Sequence, residues 1–143
     1  MRPLTRRRGR QIQDDRGQTL LEFALASVVF FITVFGTIEF GLAIYRYNML
    51  SDLAQEGARW AAVHGSTSTL TPAGTAANLQ AFVQSRAPGF TVVATATPTA
   101  NPSGTSPGQI ITVRVTSTFA PVTSFIPGAT LNLESTARMT VFR

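Results

Sequence analysis

Hydrophobic positions along this chain follow three successive rhythms: an unbroken apolar run, a helical period, and a period of two. From Leu20 to Tyr45 nearly every position is apolar or small, and no charge falls between Phe23 and Ile38. At about 1.5 Å per residue, the 26 residues from Leu20 to Tyr45 form a helix of about 39 Å, which can cross a hydrocarbon core of about 30 Å with some tilt. The run therefore predicts a transmembrane helix. A cleaved secretory signal fits it less well, because such signals have shorter apolar cores and this run is not followed cleanly by a small-x-small site.

Past Tyr45 the apolar or small residues Met49, Leu50, Leu53, Ala54, Gly57, Ala58, Ala61 and Ala62 recur at three and four, opposite Asn48, Asp52, Gln55, Glu56 and Arg59. This is the pattern of an amphipathic helix, expected to continue the membrane helix as a stalk. It is expected to end at His64-Gly65, where glycine can adopt the left-handed conformation. Residues 66–74 read as a loop, and 75–87 as a short helix with Leu79, Phe82 and Val83 on one side, stopped by Pro88-Gly89.

Thereafter Phe90–Thr97, Ile110–Phe119 and Thr130–Arg143 alternate and are rich in Val, Ile and Thr, as strands are. Ile111, Val113 and Val115 are predicted on one face of the second strand, and Leu131, Leu133, Ala137, Met139 and Val141 on one face of the third. Pro98–Gln109 and Ala120–Ala129 are connections, the latter with an apolar tip, Phe125-Ile126-Pro127-Gly128. The expected fold is α+β and membrane-anchored. A long N-terminal transmembrane helix continues into an amphipathic stalk, packed against a small three-stranded antiparallel sheet with one short extra helix. The boundaries are a basic leader (1–17), the membrane helix (18–45), the stalk (46–65) and a Thr/Ser-rich α+β domain (66–143).

Charge sharpens this division. The chain of 143 residues carries a net +5 and no lysine. Six of its twelve arginines precede residue 17, against Asp14 and Asp15, so residues 1–17 hold +4 and the remainder +1. Arginines gathered before an apolar helix are the expected cytoplasmic flank of a membrane span. The same cluster would suit a nucleic-acid arm, but no aromatic platform or groove-reading motif accompanies it. With no cysteine, the outer domain must be held by packing alone.

Two carboxylates interrupt the apolar run. Glu22 and Glu39 are 17 positions apart, or about 25 Å along a helix, less than the hydrocarbon thickness. At least one of them then lies at or within the membrane boundary, where acids tend to mark function. Glu39 is expected to reach water beside Tyr45, Arg46 and Tyr47, an aromatic and basic belt. Glu22, at the lip of the run, calls for a cationic partner, and a new amino terminus at Gln18 would supply one.

Small residues at a spacing of four, namely Thr33, Thr37 and Gly41 in the membrane and Ala54, Ala58 and Ala62 or Gly57, Ala61 and Gly65 in the stalk, permit close approach by another helix. In the stalk the chain's own sheet could occupy the same faces. No catalytic residue, metal site or cofactor is expected. The single histidine, His64, has no Ser/Asp or Cys companion and no Gly-rich phosphate loop is present. His64 reads as a helix-end residue, and Trp60 as packing on the sheet or lying near the interface.

Residues 16–62 resemble the TadE-like family of pseudopilins from tight-adherence (Flp-type) pilus systems, within the type IV pilin-like class. The motifs that carry the resemblance are Arg16-Gly17 before Gln18, Glu22-Phe23-Ala24-Leu25, Gly36-Thr37-Ile38-Glu39-Phe40-Gly41 with Tyr45, and Gln55-Glu56-Gly57-Ala58-Arg59-Trp60-Ala61-Ala62. Val28 stands where relatives often have a proline.

The resemblance implies a single-pass protein of the bacterial cytoplasmic membrane, with its N-terminus inside and its C-terminal domain outside. It implies cleavage between Gly17 and Gln18 by a prepilin peptidase, and assembly with other pilin-like subunits through the N-terminal helix. Its partners would be the bilayer, those subunits and, transiently, the peptidase, with no nucleic acid and no small-molecule substrate. An uncleaved accessory subunit of another membrane complex is the alternative.

Overall fold

The structure, a computed structural model, describes residues 8–97, 105–122 and 130–142, with side chains from Gly17 onward. Residues 1–7 of the leader, most of the Pro98–Gln109 connection, the Phe125–Gly128 tip and Arg143 lie outside the described residues. The elements are helix α1 (Arg8–Val63), helix α2 (Ala76–Arg86) and strands β1 (Val93–Thr97), β2 (Ile110–Phe119) and β3 (Leu131–Thr140). The chain divides into two units at Phe40/Gly41, the first consisting of the early part of α1 and the second holding the rest of the helix with α2 and the sheet.

Helix α1 begins earlier than the apolar pattern alone suggests, within the basic stretch, because the arginines and glutamines there are good helix formers. It ends at Val63, where the Phe142 N–H donates to Ala62 O (2.9 Å) and the His64 N–H to Ala61 O (3.2 Å). Among the described residues the left-handed glycines are Gly89 and Gly108. Gly65 does not close the helix in that conformation, since the end of the sheet caps α1 instead. Helix α2 starts at Thr75, whose hydroxyl accepts the Asn78 N–H at 3.2 Å, an N-cap.

The sheet is antiparallel in the order β1-β2-β3, with Val93 opposite Thr116 and Phe119 opposite Leu131. Alternation decides its inward face: Ile111, Val113 and Val115 are fully buried, while Thr112, Arg114, Thr116 and Thr118 point the other way. These inward residues form one core with Leu50, Leu53, Ala54, Ala58 and Ala61 of α1 and Leu79 and Val83 of α2. In β3, Leu133, Ala137 and Met139 are partly buried against that core. Leu131 does not join them, being 53% exposed. It stands at the last pair of the edge strand, and no described residue covers it fully.

Strand β1 is shorter than Phe90–Thr97, because the backbone before Val93 bonds to side chains rather than to the ladder. The Ser117 hydroxyl donates to Thr91 O at 2.8 Å. The Gln84 amide donates to Phe90 O at 3.0 Å and accepts from the Val92 N–H at 3.0 Å. One turn earlier on α2, the Gln80 amide donates to Val92 O at 2.7 Å and accepts from the Ala94 N–H at 2.6 Å. Two glutamines thus do for the outer edge of β1 what another strand would do, and close it to foreign strands. Gln80→Ala is expected to cost about 1–3 kcal/mol, the penalty for part-buried backbone groups left unpaired. Amide hydrogen exchange checks this, since Ala94 should exchange faster in the variant. Exchange at the parent rate would contradict it.

Candidate functional site: the N-terminal helix

The apolar run occupies the first unit and the start of the second. Its side chains are exposed on every side of the helix, with Leu20 at 70%, Phe23 at 71% and Phe40 at 68%. A helix that is apolar all round belongs in a protein core or in lipid, and none of the most apolar window of Gly17–Val63 is buried within the chain. This helix is long and apolar enough to span a membrane. Its hydroxyl side chains suit that medium. Ser27 donates to Phe23 O (2.8 Å), Thr33 to Val29 O (2.9 Å) and Thr37 to Thr33 O (2.8 Å), so each is satisfied one turn back without water.

The junction expected at residues 16–22 lies inside α1. Arg16 is part of the helical backbone, and around Gly17 there is open space within 4 Å of where a Cβ would sit. Gln18 and Glu22 are exposed, and Glu22 forms no hydrogen bond or ion pair among the described residues. Glu39 is half-buried.

The small residues fall into two groups. Thr33, Thr37 and Gly41 are exposed, and the Gly41 surface is open. Ala54, Ala58, Ala61 and Ala62 are fully buried. A Cβ added to Gly57 would stand 3.1 Å from Val83 Cγ2 and 3.2 Å from Val113 Cγ1. Within this chain, α2 and β2 occupy the stalk's close-packing face.

Arg46, read from the sequence as part of an aromatic and basic interface belt, is half-buried. Its guanidinium carbon lies 5.4 Å from the ring centroid of Phe90 and 5.1 Å from that of Phe119, within cation–π range. Nothing in the local pattern marks those two phenylalanines as its partners. Trp60 packs against the core that the sheet and helices share, and its ring stacks on Phe82 of α2 (5.7 Å) and on His64 (4.0 Å). His64 Nδ1 is 2.6 Å from Trp60 O, which ties it to the helix end. Among the described residues no three His, Cys, Asp or Glu side chains come together as a metal site would require.

No curated protein and no solved structure matches the chain. The TadE-like protein family matches residues 17–59. The matched segment opens at Gly17 and runs through the apolar stretch into the buried stalk, taking in Glu22, Glu39 and the Ala54–Gly57–Ala58 face. Residues 17–59 of this chain are a TadE-like family domain.

Proposed function

We propose that the chain is a pseudopilin or minor pilin, a structural and assembly subunit of an Flp-type pilus or a related secretion apparatus, with no enzymatic activity of its own. One observation carries this reading. The family match begins at Gly17, the residue before the expected cut, and the arginine-rich leader lies ahead of it. Removing that leader would release the +4 segment and expose an ammonium group at Gln18. In a bundle of such helices, the ammonium of one subunit can meet the unpartnered Glu22 carboxylate of a neighbour, so that two groups costly in lipid neutralise each other. The leader's arginines favour a cytoplasmic N-terminus and an external sheet domain.

Glu22→Ala is expected to insert in the membrane as the parent does and to lose most pilus assembly, measured by shearing and quantifying pili from cells carrying each form. Parent-level piliation in the mutant would sink this role for Glu22. The uncleaved accessory subunit is favoured by one feature, the continuity of α1 through Gly17 and Gln18. A protease takes its substrate extended, and glycine eases that local unwinding. Mass spectrometry of the mature amino terminus separates the two readings. A terminus at Gln18 supports the pseudopilin, whereas an intact Met1 supports the accessory subunit.

A further inference from the structure

Beside the start of β1 a cavity of about 720 Å³ opens, its walls including Arg46, Phe90, Thr116, Thr118, Asn132 and Glu134. Arg46 is its cation. The guanidinium is braced by Phe90 and Phe119 and makes no ion pair among the described residues, so its planar fork is held in place and its charge is unanswered. The carboxylate in the wall, Glu134, is already paired with Arg114 at 3.3 Å. Thr118 donates to Asn132 Oδ1 at 3.2 Å, leaving the Asn132 NH₂ as a donor. A fixed guanidinium with nearby hydroxyl and amide groups is the donor set for a phosphate.

The surroundings select which phosphate. Arg46 directly follows the apolar run that is long enough to span a membrane, and Leu42, one turn back on the same side of α1, is 40% exposed. A free anion is not held at the end of a membrane span, whereas a phospholipid headgroup is. We infer that this cavity binds the phosphate of a phospholipid headgroup, with Arg46 as the principal ligand and the apolar run that ends beside Arg46 against the acyl region. The inference rests on α1 spanning a membrane but not on cleavage or pilus assembly, so it stands or falls separately from the tests above.

Native mass spectrometry of the full chain released from detergent micelles tests it, with phosphatidylglycerol compared with diacylglycerol of the same acyl chains. The parent should retain the phospholipid about tenfold better, the value of one charge-assisted interaction. Arg46→Gln should remove that preference and Arg46→Lys should keep part of it. Glu134→Gln, which takes a negative charge from the wall, should increase retention, a gain that misfolding cannot produce. Millimolar inorganic phosphate should not displace the lipid. Equal retention of the two lipids by the parent overturns the proposal, as does unchanged retention in both Arg46→Gln and Glu134→Gln. Full displacement by inorganic phosphate overturns the lipid assignment in favour of a free anion.

Discussion

Leu79→Ala is expected to destabilise the sheet-bearing unit by about 2–5 kcal/mol, the usual cost of emptying a closed leucine site. Leu79 is fully buried, and its Cδ1 lies 3.7 Å from where a Cβ on Gly57 would stand. It is thus a main apolar tie between α2 and the stalk. The polar tie between the same helices, Arg86 to Glu56 at 2.7 Å, is about half exposed, and such pairs contribute little. With no disulfide to limit unfolding, most of a small domain's stability of about 5–15 kcal/mol has to come from contacts like this one. Thermal unfolding followed by near-ultraviolet circular dichroism reads the effect through Trp60, which stacks on Phe82 of the same helix. Leu20→Ala, at a 70% exposed position, is the matched control in detergent. A Leu79→Ala protein within about 0.5 kcal/mol of the parent would show that α2 does not close the core.

Gly57→Leu is expected to be nearly as damaging, for the opposite reason. Even a single Cβ would crowd Val83 and Val113 at 3.1 and 3.2 Å, and leucine adds three further carbons in the same confined space. Overpacking of this kind costs about 1–3 kcal/mol or more, against a gain of about 1 kcal/mol from replacing glycine inside a helix. At the upper end, which applies because two side chains are crowded at once, the net expectation is a loss of about 2 kcal/mol. The decisive measurement is a double-mutant cycle in chemical denaturation. Val83→Ala removes the nearest clashing methyl, so Gly57→Leu should cost about 1 kcal/mol less in that background. If Gly57→Leu left stability unchanged and instead blocked association between subunits, the stalk face would belong to a partner helix rather than to α2 and β2.

Much of this architecture could be read from one dimension, for identifiable reasons. The Leu20–Tyr45 run needed only hydropathy and length. The face formed by Ile111, Val113 and Val115 needed only the strand's period of two, and the short helix needed only Thr75 ahead of it and Pro88-Gly89 behind it. Other features were not legible. The end of α1 was expected at His64-Gly65, but its cap depends on Phe142, whose N–H reaches Ala62 O from the far end of β3. The early end of β1 depends on Ser117, Gln80 and Gln84, which compete for backbone groups that the local pattern assigned to a strand. Leu131 continues the alternation of its strand yet is exposed, because alternation specifies a face and not whether anything covers it.

The candidate site divides in the same way. Sequence alone placed the expected junction at Gly17-Gln18, an out-of-place carboxylate at Glu22 and a helix long and apolar enough to span a membrane, since these rest on covalent order, charge and hydropathy. Small residues at a spacing of four say that something can approach closely, but not what. Only the tertiary structure decided that Ala54, Gly57, Ala58 and Ala61 meet the chain's own sheet and α2, and that Arg46 lies between Phe90 and Phe119. Both outcomes depend on which distant segments the fold brings together, and local periodicity carries no information about the partner.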